Sequence, residues 1–126
     1  MGLQERRLIK ELQDTVLPAR SAEIAEICGT PFPYDVDWAS LENDAQALNF
    51  VDNTACHRVN MALRMICIDA MGRDAVQAGL QRMRLRNVAE PGQRHIASSG
   101  GVLDLHNAFA HGAQGMHSDG EIRTIL

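Results

Sequence analysis

Cys56-His57 is the first place in this chain where residue types suggest chemistry, since a thiol beside an imidazole is the raw material of nucleophilic catalysis. The residues around the pair read as helix, however, and helical neighbours diverge by about 100°. The two side chains therefore cannot form a local dyad. Asp52, one turn earlier, also disfavours a thiolate at Cys56. Cys67 lies three turns on and can share the face of Cys56. These two and Cys28 read as small buried residues. Three cysteines without a CxxC spacing or a secretory leader point to free thiols in a reducing cytoplasm.

The same helical segment carries a second pattern. Asn49, Asn53, His57, Asn60 and Arg64 follow at spacings of four, four, three and four, so a straight helix aligns them in one stripe. A polar stripe in an apolar helix is either a seam of hydrogen bonds that sets packing or dimer register, or the wall of a polar pocket. The seam is the expectation, because satisfied buried amides are far commoner than sites. Asp52 faces the apolar side and needs a backbone donor or an arginine from elsewhere in the fold.

Four of the five histidines fall in the last third: His95, His106, His111 and His117. With Asp104, Asp119 and Glu121 they offer metal-ligand chemistry, and His106, His111 and His117 are the nearest approach to a ligand set. Their spacing matches neither HxH nor HExxH, and His111 and His117 flank glycines in what reads as an exposed loop. No metal or other cofactor is expected. Arg82, Arg84 and Arg86 share one face of a strand, a basic patch within a stretch (Arg73 to Arg94) where five arginines outnumber two acids. Acids of neighbouring strands are the expected partners of this patch. The chain as a whole has a formal charge of −4. Without a glycine-rich phosphate loop or interleaved aromatics, this argues against nucleic acid as a partner.

The elements that must position these residues follow from the apolar pattern. A length of 126 residues suits a single domain, residues 1–126, able to bury a core without disulfide or metal. Residues 3–28 read as helix, kinked or split at Pro18 and stopped at Gly29. Tyr34 to Trp38 alternates as a short edge strand. Ser40 is placed to cap a long helix running from Ala45 to Met71 and ending at Gly72. Seventeen of its 27 residues are apolar. Leu48, Val51, Ala55, Val59, Ala62, Leu63 and Ile66 form one face, with Phe50, Met61, Met65 and Ile68 on the other. One face suits the sheet, and the other suits the N-terminal helices or a second copy. Asp52, Arg58, Arg64 and Asp69 interrupt it too often for a membrane span.

A short helix from Asp74 to Gln81 follows. Strands are expected at Gln81 to Arg86, His95 to Ser98 and Val102 to Ala110, joined by short turns into an antiparallel meander. Ser118 and Glu121 make a capping box for a last short helix. The expected fold is therefore α+β: N-terminal helices and a long central helix packed on a small three- to four-stranded antiparallel sheet, with a short C-terminal helix. The expected function is that of a small cytoplasmic protein-interaction or regulatory module. It is non-catalytic and partners itself as a homodimer, or another protein. The alternative is a small-ligand or metal-binding protein, conceivably an enzyme, using the polar stripe or the histidine-rich third.

Overall fold

The protein is described from a computed structural model covering residues 2–126. The chain opens with α1 (Leu3–Glu11) and α2 (Leu17–Cys28), joined by a π-helical turn at Leu12–Val16. Pro18 explains the wide turn. It has no N–H, and its ring would strike the carbonyl four residues back in a regular α-helix. Adding a residue to the preceding turn lets the Leu17 N–H reach Leu12 O instead, and the helical path continues past the proline. At the far end Gly29 adopts φ +82° and gives its N–H to Ala25 O, the left-handed stop expected there.

β1 (Tyr34–Val36) forms one edge of the sheet. Ser40 does not cap a helix. It sits in a 3-10 turn, where its hydroxyl donates to Asp37 O at 2.6 Å and accepts from Asn87 N–H at 3.0 Å. The helix cap is Asp44, whose Oδ1 accepts from Ala47 N–H at the start of α3 (Ala45–Leu48).

The long central helix of the sequence reading is in fact four pieces. α3 is followed by a π-helical segment, Val51–Cys56, then α4 (His57–Ile66) and α5 (Ala70–Gly79). Cys67 closes α4 just after its last residue, and Asp69 caps α5 by accepting from Gly72 N–H at 2.7 Å. Gly72 is thus inside the first turn of α5 rather than a stop. A Cβ there would stand 1.7 Å from Ile66 O, so the glycine marks a close helix-to-helix approach. α4 is apolar on several sides because it packs against both α2 and α6 (Asp119–Ile125).

The remaining strands are β2 (Arg82–Asn87), β3 (His95–Ser99) and β4 (Val102–Asn107). The class is α+β, but the sheet is mixed rather than an antiparallel meander, with order β1-β2-β4-β3. β1 runs parallel to β2 and β2 parallel to β4, while only β3 and β4 pair antiparallel. The physical reason lies in the two connections. Gly100 and Gly101, at φ +59° and +83°, close a tight β3–β4 hairpin. The chain between β2 and β3 instead passes through a 3-10 turn at Pro91–Gln93, which carries β3 to the outer edge and leaves the inner place to β4. β4 stops at Asn107, before a 3-10 segment at Phe109–Gly115.

Val36, Met83, Leu85, Leu103 and Leu105 from the inner sheet face join Ile24, Val59, Leu63 and Ile122 from the helices in one buried cluster. The other sheet face carries the charged side chains. No helix among the described residues is long and apolar enough to cross a membrane.

Candidate functional site

The expected stripe divides when it is placed in the fold. Asn49, Asn53, His57 and Arg64 are exposed, whereas Asn60 is only 2% exposed. Asn60 lies about 60° round the helix from His57, which turns it toward α2. The π segment ahead of α4 is held by bonds that reach back five residues, from Ala55 N–H to Phe50 O and from His57 N–H to Asp52 O.

Asn60 is the hub of a polar seam joining α2, β1 and α4. Its Oδ1 accepts from the Tyr34 hydroxyl at 2.6 Å, and its Nδ2 donates to Glu23 Oε1 at 2.7 Å and Arg20 O at 3.2 Å. Arg20 Nε donates to Asp52 Oδ1 at 2.6 Å, supplying the arginine that Asp52 required, and Arg20 also pairs with Glu23 at 3.2 Å. The hydrogen bond from Asn60, with help from the Arg20 charge, holds the Glu23 carboxyl below its ordinary range. Burial opposes the charge on Arg20, but the bond to Asp52 and the nearby acids outweigh it and hold the guanidinium charged. An open hollow of about 400 Å³, lined by Thr15, Val16, Arg20, Glu23 and Asp52, brings residues of both π segments together.

Cys56 lies in this region but is not a nucleophile. Burial and then the charge of Asp52 push its thiol well up, so it stays protonated. His57 faces away from it into solvent.

The outer face of α4 is apolar. Met61 and Met65 lie one turn apart on α4 and are 38% and 47% exposed, Ile68 in the turn that follows is 75% exposed, and Met71, just into α5, is 82% exposed. These are four of the seven large apolar side chains that stand exposed among the described residues. His57, Arg64 and Asp69, all exposed, border the stripe.

No protein-family model, curated protein or solved structure matches this chain.

Arg82, Arg84 and Arg86 lie on the open sheet face and meet the acids of β1 and the residue after it. Asp35 Oδ2 is 3.6 Å from both Arg82 and Arg84, and Asp37 Oδ2 is 3.6 Å from Arg86. Asp35, Asp37, Arg84, Arg86, Asp104 and His106 line an open hollow of about 370 Å³ in which positive and negative groups alternate. His106 Nε2 lies 3.4 Å from Asp104 Oδ1, and its ring meets that of His95 edge-on at 5.3 Å. Asp104 Oδ1 itself is out of solvent and has no hydrogen bond.

The three histidines that came closest to a ligand set do not converge. His106 stays on the sheet. His111 is exposed and contacts Ala89 O at 3.2 Å. His117, expected in an exposed loop, is buried: Nε2 meets His95 O at 3.0 Å and Nδ1 meets Glu121 Oε2 at 3.2 Å. The capping box explains this burial, since Ser118 and Glu121 start α6 as expected and so fix Glu121 beside the ring. The bond from His117 and the Ser118 N–H hold the Glu121 carboxyl below its ordinary range. No group of three metal-ligating side chains suited to an ion occurs among the described residues.

Sequence reasoning missed Tyr34 and Glu23 as members of the seam. Glu23 lies three residues after Arg20 on a helix, a spacing that signals a pair. Nothing local signals that Tyr34 reaches across to α4.

Proposed function

We propose that this protein is a small, non-catalytic interaction module that pairs with a second copy of itself through the outer face of α4. The observation that carries this reading is the run Met61, Met65, Ile68 and Met71, which holds most of the exposed large apolar side chains of the described residues. Exposed apolar stripes bordered by polar groups are characteristic of docking surfaces, and methionine adapts its shape to a partner.

A second copy fits this stripe because an apolar run can face its own copy across a two-fold axis. Two-fold pairing requires that each residue meet the same counterpart on both sides. Let two copies of α4 cross antiparallel so that Met61 of one meets Met65 of the other. The buried seam under this face, from Asn60 to Tyr34 and Glu23, keeps α4 fixed against its own fold and leaves the outer side free to pair. Three free thiols suit the reducing cytoplasm as its compartment.

Sedimentation equilibrium at micromolar concentration tests the proposal. The expected species has twice the chain mass of 13.9 kDa. Met65→Asp is expected to give a folded monomer with an unchanged far-ultraviolet circular dichroism spectrum. A wild-type monomer, or a dimer indifferent to Met65→Asp, would refute the assignment of this face.

A further inference from the structure

Cys28 closes α2 and Cys67 follows the last residue of α4, 39 positions apart in the chain. Their Sγ atoms stand 2.7 Å apart in the core, and both thiols are free. Even carbon atoms make their best contact at about 3.5 Å, so these larger sulfur atoms are held inside ordinary non-bonded distance. α5 holds the two chain segments together from above. Gln77 Nε2 donates to Cys28 O at 2.6 Å, and Arg73 donates to Cys67 O at 3.2 Å. Cys56, the third thiol, belongs to the separate surroundings of Tyr34, Asp52 and Arg20.

We propose that Cys28 and Cys67 are a redox pair that closes into an intramolecular disulfide on meeting a hydroperoxide, with Cys56 left out of the reaction. Cys67 is 4% exposed while Cys28 and Cys56 are fully covered, so Cys67 is the thiol the oxidant reaches first. Its sulfur attacks one oxygen of hydrogen peroxide. The O–O bond breaks, the sulfur takes the hydroxyl as a sulfenic acid, and the other oxygen leaves with the thiol proton as water. Cys28 Sγ then attacks the Cys67 sulfur. The S–S bond forms, the S–O bond breaks, and the hydroxyl leaves with the Cys28 proton as a second water. Two thiols lose two electrons in total, and one peroxide becomes two waters.

Burial and the adjacent Cys67 push the Cys28 thiol up to about 12. The second step, attack by Cys28, is consequently slow at neutral pH and accelerates as pH rises. The bond would tie the end of α2 to the end of α4 immediately before Ile68.

The test has two arms. Native protein is exposed to hydrogen peroxide, quenched, denatured and alkylated. The expected product has lost two hydrogens, keeps one alkylatable thiol at Cys56, and yields a Cys28–Cys67 cross-linked peptide. In Cys28→Ser the same treatment should stall at a dimedone-reactive sulfenic acid on Cys67. In the second arm denatured, reduced protein refolds in a glutathione redox buffer, where access to the thiols is not limiting. The same pairing is expected there, and the oxidised form should melt at a higher temperature than the reduced form. Three free thiols in both arms, or a bond that involves Cys56 or a second chain, would overturn the proposal.

Discussion

Replacing Asn60 by Ala tests the polar seam most directly. The change removes three hydrogen bonds: one from Tyr34 at 2.6 Å, one to Glu23 at 2.7 Å and one to Arg20 O at 3.2 Å. Each neutral bond contributes about 1 kcal/mol net, and one to a charged group about 1.5 kcal/mol or more. Glu23 is 36% exposed, so solvent screens its share and the low end applies. The Tyr34 hydroxyl keeps only a long contact to Cys56 O at 3.4 Å. The sum is a loss of about 3 kcal/mol, equivalent to roughly a 12 °C fall in Tm for a domain of this size. Tyr34→Phe, which leaves the Glu23 bond intact, should lose only about 1 kcal/mol.

The same variant carries a pH signature. The Glu23 carboxyl is held below its ordinary value of 4.5, first of all by Asn60. A carboxyl with a depressed folded value stabilises the protein above its unfolded value, and that contribution vanishes as pH falls through the folded one. Wild-type stability should therefore decline below pH 4.5 in part through Glu23, and Asn60→Ala should show a shallower decline in that window. Urea unfolding followed by circular dichroism, at neutral pH and across the acid range, reads both quantities. A loss under about 1 kcal/mol, less than a single bond is worth, together with an unaltered acid profile, would refute the view that Asn60 organises this seam.

Two further outcomes follow from close approaches and charge pairing. Gly72→Ala should destabilise the protein by about 2 kcal/mol or more, because its Cβ would sit 1.7 Å from Ile66 O and the backbone must move. Amide exchange would show the loss first in α5. The protein should pass through a heparin column at moderate salt, and Arg82→Ala, Arg84→Ala and Arg86→Ala should each change stability by less than about 1 kcal/mol, since each arginine meets its acid only at 3.6 Å and in solvent. Tight retention that these variants abolish would show a free basic surface instead.

What was legible in the sequence was local. The Ser118–Glu121 box, the Gly29 stop, the hairpin glycines and the alternation of β2 each depend on residues a few positions apart. The divergence of Cys56 from His57 needed only helical geometry. The strand order was not legible, because a turn signal says that two strands pair but not which third strand comes between. Asp69 and Gly72 show a subtler failure. Both residues signal a helix boundary, but an aspartate followed by a glycine three positions later reads equally as the end of one helix or the start of the next. Tertiary approach to Ile66 O decided it. The burial of His117 and the reach of Arg20 to Asp52 across 32 residues depend on packing that no local pattern encodes.

The stripe divides inside regular α4, where the step of three from His57 turns Asn60 about 60° toward α2, while the two π turns set how the helical segments on either side of the seam face each other. A π turn advances each residue by less than 100°, so six residues at Val51–Cys56 shift the phase of everything before α4 relative to everything after it. A similar shift at Leu12–Val16, forced by Pro18, sets the phase in which Arg20 faces Asp52. Both wide turns border the same hollow, and the Arg20–Asp52 bond spans it. The seam therefore depends on two matched irregularities, one on each helical segment. Asn60 is inside and Met61 outside because the bond network they create fixes the rotation of α4. This rotation also leaves Met61 and Met65 pointing outward together, which links the buried seam to the surface proposed for pairing.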